Sequence, residues 1–156
     1  MDLDDVAKIG AVAGAMLGLG TFLKAIFEYT RSNAMKRADY FFGMRRTMYG
    51  NKKVVDIMML LETGDQKLRE VAYRDKMEFL GFYEEVAISN NSRLLNDRIA
   101  HYMFGYYAIR CWDSPYFWEE GQINKESMYW SLFRSFAEKM KTIEDRDRFS
   151  TSKLKF

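Results

Sequence analysis

Residues 9 to 23 read IGAVAGAMLGLGTFL, a run without a charged side chain in which Gly10, Gly14 and Gly18 recur every four residues. Four-residue spacing stacks small residues on nearly one face of a helix. Without Cβ atoms on that face, a second helix can approach backbone to backbone. In lipid, where burial of apolar surface no longer drives helices together, such close contact is a main route to association. Ala11 and Ala15 widen the small stripe. The run therefore predicts an all-α protein: an N-terminal transmembrane helix that packs against copies of itself, followed by a compact helical cytosolic bundle.

Fifteen residues at about 1.5 Å each cover roughly 22 Å, short of the roughly 30 Å hydrocarbon core. Extending the run from Val6 to Phe27 gives about 33 Å but admits Lys8 and Lys24. Both lysines lie near the ends, where a long stem carries its ammonium to the interface. A buried soluble helix is the alternative reading. A secretory signal is disfavoured by the acidic start MDLDD, because such signals begin basic.

The flanks predict orientation. Residues 29 to 53 hold Arg31, Lys36, Arg37, Arg45, Arg46, Lys52 and Lys53 against the single aspartate Asp39. Basic flanks stay in the cytoplasm and lie against anionic headgroups. The expected placement is a bacterial inner membrane, one span, N-terminus out. On this reading the chain divides into an acidic tail with the span (1–29), a basic juxtamembrane stalk (30–53), a helical cytosolic domain (54–146) and a flexible tail (147–156).

A net charge of only +2 argues against a polyanion binder by composition. A single cysteine, Cys111, excludes an internal disulfide and a cysteine-rich zinc site. Pro115 is the one proline, and no strand-like alternation occurs, so the domain should be helical throughout. Five helices are expected. The first runs from about Asp4 to Tyr49. VVDIMMLLETGD forms a second, stopped by Gly64. The third covers DQKLREVAYRDKMEFLGFYEEVAIS, with Leu68, Ala72, Phe79, Tyr83 and Val86 on one stripe. SNNS is a loop. LLNDRIAHYMFGYYAIRCW is apolar nearly all round and should be a central buried helix. The last runs from about Lys125 to Glu144, with Met128, Tyr129, Leu132, Phe133, Phe136, Met140 and Ile143 at a period near 3.6.

Three segments, RDKMEFLGFYEEVA at 74–87, LLNDRIAHYMFGYYAIRCW at 94–112 and WSLFRSFAEKM at 130–140, give the chain a family likeness. It resembles a poorly characterised bacterial family with one membrane helix, a basic segment and a helical cytosolic domain. It is also similar to the small membrane accessory proteins of type VI CRISPR systems, whose effectors are RNA-guided and target RNA. The resemblance implies a ring-shaped membrane pore in anti-phage defence and an RNA-guided nuclease as partner. The same comparison brings in the HEPN ribonucleases, whose motif is Arg, four to six residues, then His. His101 is the only histidine, and Arg98 and Arg93 lie three and eight residues before it, so the spacing fails. Arg98 and His101 nonetheless share a helix face.

Other chemistry is thinner still. Cys111 lies about 15 Å along one helix from His101, too far for a dyad. Glu84 and Glu85 point to different faces, and Glu119 and Glu120 fall near a helix start. One histidine and one cysteine leave no transition-metal set, and no cofactor is implied. Trp112, Trp118 and Trp130 read as core anchors. The expected function is an oligomeric pore or membrane-perturbing effector. Gly10, Gly14 and Gly18 would form its helix contacts, and Lys8, Lys24, Glu28 and Arg31 its polar rims. Lys36, Arg37, Arg45 and Arg46 form its stalk. Membrane lipids and further copies of the chain are its partners, and direct nucleic-acid binding stays open. The rival is a membrane-tethered scaffold that binds a cytosolic protein.

Overall fold

The computed structural model describes residues 3–118 and 123–146, with side-chain surroundings for 14, 16–118 and 123–146. All regular structure among them is helical. Helix α1 is Leu3–Gly50, α2 Lys52–Thr63, α3 Tyr73–Asn91, α4 Asp97–Ala100, α5 Tyr106–Asp113 and α6 Ser131–Arg146. The chain forms two units, Met1–Lys36 and Arg37–Phe156.

The second unit owes its shape to a few local devices. The Asn51 side chain accepts from the backbone N–H groups of Lys53 and Val54 and so starts α2 immediately after α1 ends. Gly64, at φ +64°, closes α2, with its own N–H on Leu61 O and that of Asp65 on Leu60 O. Lys53 Nζ lies 2.7 Å from Asp75 Oδ1 and 3.3 Å from Glu78 Oε2, joining the starts of α2 and α3. The core combines Met48, Ile57 and Leu61 with Phe79, Leu80 and Val86, then Phe104, Ala108, Phe133 and Met140. Burying each large apolar side chain contributes about 1.5–3 kcal/mol.

Several sequence expectations change here. The stalk predicted over 30–53 is not a separate piece, because Phe41, Met44 and Met48 of α1 are buried in the second unit. The third helix is broken: the Asp65 carboxylate accepts from Lys67 N–H at 2.9 Å and starts a 3₁₀ turn over Gln66–Arg69. Helix α3 then begins only at Tyr73, and Ala72 is exposed rather than core-facing. Helix α3 also runs through Asn91, and Arg93, at φ 60°, makes the turn expected of SNNS. The central helix buries Ile99, Phe104, Ala108 and Cys111 but exposes Tyr102 and Tyr106, so it is not apolar-packed all round. The Ser127 hydroxyl accepts from Tyr129 N–H at 3.3 Å, holding Met128–Trp130 in a 3₁₀ turn. Consequently α6 starts at Ser131, and Met128 and Tyr129 are each 82% exposed. The expectations for Glu119, Glu120 and the 147–156 tail lie outside the described residues.

Candidate functional site

In the first unit, Met16, Leu17, Leu19, Phe22, Leu23, Ile26 and Phe27 are all 46–73% exposed. At about 100° per residue, all but Leu17 fall in one arc of roughly 140°. Gly14, Gly18, Thr21, Ala25 and Glu28 take the opposite side. No atom lies within 4 Å of a Cβ built on Gly14 or Gly18, so the glycine side is open. Thr21 Oγ1 donates to Gly18 O at 2.8 Å, and Thr30 Oγ1 to Phe27 O at 2.9 Å, so both hydroxyls are satisfied within the helix. Lys24 and Glu28 form an i,i+4 ion pair at 3.8 Å, and Arg31 is exposed. Gly10 and Lys8 belong to the stretch whose side-chain surroundings are not described. Among the described residues, no helix is long and apolar enough to cross a membrane. The stretch predicted to span, 6–27, begins outside the described side chains.

Among the basic residues that follow, Lys36 closes the first unit, and Arg37 opens the second. Arg45 and Arg46 are exposed, and the Arg45 guanidinium lies 5.8 Å from the Tyr49 ring centre.

Arg98 is exposed on α4, and His101 is half-buried at the first residue of a π turn, His101–Gly105. The ring of His101 crowds Gly105: a Cβ there would meet His101 Cδ2 at 3.1 Å. That packing explains why the helix carries glycine beneath its histidine. Cys111 is fully buried, and burial pushes its thiol well above the usual range, the surroundings of a packed rather than an activated cysteine. Trp112 and Trp118 meet edge to face at 5.5 Å, and Trp118 Nε1 donates to Cys111 O at 2.7 Å, both as core anchors. Glu85 is exposed, whereas Glu84 Oε1 accepts from Phe133 N–H at 2.7 Å. Burial raises the Glu84 pKa against the opposing effect of that bond. Among the described residues, no three His, Cys, Asp or Glu side chains converge as a metal site.

Two features have no plain sequence signal. Lys76 is buried, donates from Nζ to Phe117 O at 3.0 Å and lies 5.5 Å from the Phe117 ring centre. Burial lowers its pKa. It ties the turn after α5 to the start of α3, 41 residues away in sequence. The second is a groove of about 490 Å³ lined by Tyr73, Met77, Ile123, Asn124, Tyr129 and Trp130. No family model, curated protein or solved structure matches the chain.

Proposed function

We propose that the chain is a homo-oligomeric membrane pore or membrane-perturbing effector, with its span over 6–27, its N-terminus outside and its helical domain in the bacterial cytoplasm. One observation carries the reading. The first unit exposes a bulky apolar arc and, opposite it, a small arc of Gly14, Gly18, Thr21 and Ala25. The bulky arc suits lipid chains. The small arc suits a neighbouring helix backbone or a lumen, with Gly10 continuing it by spacing. Lys8, Lys24, Glu28 and Arg31 then form the polar rims. Arg45 and Arg46 attract anionic lipid by about 1 kcal/mol each where they reach the surface, less in salt. The role in anti-phage defence beside an RNA-guided nuclease rests on the sequence resemblance alone.

The test uses the full chain in detergent and in liposomes. Mass photometry should find an oligomer, and added protein should release an entrapped dye. Gly14→Leu should weaken assembly and leakage together while the helical domain keeps its circular dichroism and melting temperature. A wild-type monomer at micromolar concentration overturns the reading. A second reading, a membrane-tethered scaffold, is favoured by the groove flanked by the exposed Met128 and Tyr129. An assembled wild type that passes neither dye nor ions with its partner present selects it. A divergent ribonuclease has the Arg98–His101 pair behind it, three residues apart on one helical run, where the family motif asks for four to six residues between them.

A further inference from the structure

Within the second unit, α3 runs back along the end of α1. Asn51 Nδ2 donates to Glu78 Oε1 at 2.7 Å, and the hydroxyls of Tyr40 and Ser89 pair at 2.7 Å. The chain thus meets α3 near its start at Asn51 and near its end at Tyr40, so the two helices are antiparallel. The end of α3, and the turn from Asn91 to Leu94 that follows it, therefore lie where the chain enters the second unit at Arg37.

That end carries apolar surface. Ile88 is 52% exposed, Leu94 43% and Tyr40 39%. Ser89 ties them together, since its hydroxyl pairs with Tyr40 and its carbonyl accepts from Leu94 N–H at 3.0 Å. Ile88 O accepts from Ser92 N–H at 2.9 Å. Arg93 stands in this turn at φ 60°, a left-handed conformation that glycine adopts far more readily. Its guanidinium makes no hydrogen bond or ion pair among the described residues. The chain therefore keeps an arginine where the backbone disfavours it and gives its side chain no partner of its own. Asp39 and Glu85, near Tyr40 and Ile88 in sequence, are exposed acids, and Asp97 is held by Lys139. The turn thus presents apolar side chains and one unpartnered cation, not a surplus of positive charge.

We propose that this turn rests in the headgroup layer of the bilayer, with Ile88, Leu94 and the Tyr40 ring against the acyl boundary and Arg93 on a lipid phosphate. The inference rests on the pore reading, which puts the span over 6–27. Phe27 and Arg37 are ten residues apart in α1, about 15 Å of helix. Part of that length already lies within the headgroup layer, which flanks the hydrocarbon on both sides. A unit that begins so near the bilayer has its entry end within reach of lipid. Aliphatic tips, an amphipathic ring and a long cationic stem are the side chains that this layer favours. Insertion of the apolar tips leads, and Arg93 meets one phosphate, so no net positive field is required. Lipid suits the turn better than a second copy of the chain. Copies that pack through α1 meet along its length, whereas the turn lies at the end of α3.

The test uses the full chain in vesicles of phosphatidylcholine and phosphatidylglycerol, with a nitrobenzoxadiazole fluorophore on one introduced cysteine. Wild type, whose Cys111 is fully buried, is the labelling blank. Leu94→Cys reports the turn, Arg74→Cys the opposite end of α3, and Phe22→Cys the span. Lipid with a nitroxide on its headgroup should quench most of the fluorescence of Leu94→Cys and little of that of Arg74→Cys. Lipid with a nitroxide near the chain end should quench Phe22→Cys instead. Adding Ile88→Asp to Leu94→Cys should relieve the headgroup quenching while circular dichroism shows an unchanged fold. An unquenched Leu94→Cys beside a quenched Phe22→Cys overturns the inference and leaves the span in place. A quenched Leu94→Cys beside an unquenched Phe22→Cys keeps the turn on lipid and overturns the span. Equal quenching of Arg74→Cys and Leu94→Cys overturns the inference. So does a Leu94→Cys label shielded from both nitroxides and from aqueous iodide, which marks a protein contact.

Discussion

Tyr83→Phe should stabilise this protein. Tyr83 is fully buried, with its ring 4.8 Å from Phe79, 5.4 Å from Phe82 and 5.7 Å from Phe133. Its hydroxyl has no hydrogen-bond partner among the described residues. A buried donor left unpaired costs about 1–3 kcal/mol. Deleting the oxygen removes that cost and loses a few contacts of about 0.1–0.2 kcal/mol each. The expected gain is about 1–2 kcal/mol, a rise in melting temperature of roughly 4–8 °C for a domain of this size. Burial also pushes the phenol pKa well above its usual 10.0. The folded state then keeps a proton that the unfolded chain releases near pH 10. Stability from this group is fully present below that pH and falls above it, at up to about 1.4 kcal/mol per pH unit. The Phe variant lacks this slope, so its advantage should widen as pH rises past 10. Thermal unfolding of the full chain, followed by circular dichroism near pH 7 and near pH 11, measures both effects. A variant that melts lower than wild type, or shares its alkaline slope, refutes the reasoning and means that the hydroxyl has a partner.

Gly81 and Gly64 should respond to alanine with opposite signs. Gly81 lies inside α3 with no atom within 4 Å of an added Cβ, so Gly81→Ala should add about 0.5–1 kcal/mol, whereas Gly64 at φ +64° should lose about 1 kcal/mol. Urea titration with constant slope checks both. Glu84→Gln keeps an acceptor for Phe133 N–H, whereas Glu84→Leu removes it and should cost about 1–2 kcal/mol. Because the folded Glu84 pKa is raised, mainly by burial, its contribution to stability is fully present below about pH 4.5 and is lost as pH rises through the folded value. Midpoints measured between about pH 4 and 7 should therefore show a slope in wild type that the Gln variant lacks. Arg93→Gly relieves a left-handed residue in the turn before α4 and should gain about 0.5–1 kcal/mol, read from the same titrations.

Helicity itself was legible in the residues, because it depends on local chemistry. The 3.6 period of Phe133, Phe136 and Met140, the stop at Gly64 and the break at Pro115 act within a turn of where they stand, and each appears in the structure. The uncharged run with Gly14 and Gly18 was equally plain, since exposure of a whole helix surface needs no knowledge of what packs elsewhere. Tertiary packing decided the rest. The second unit draws Phe41, Met44 and Met48 out of what reads as a basic stalk and into its core: the Phe41 ring meets Phe104 of the π turn at 6.4 Å, and the neighbouring Tyr40 hydroxyl pairs with Ser89 of α3 at 2.7 Å. Local capping by Asp65 and Ser127 outweighed the apolar period and shortened two helices. Glu84 reads like any surface carboxylate until Phe133, 49 residues on, arrives at 2.7 Å. The same holds for Lys76 and its carbonyl on Phe117. Arg98, Tyr102, Tyr106 and Arg110 sit inside a segment whose composition predicts burial. Only the packing of α6 and α2 against its other sides leaves those four in solvent, since a helix shows water whichever face its neighbours do not cover.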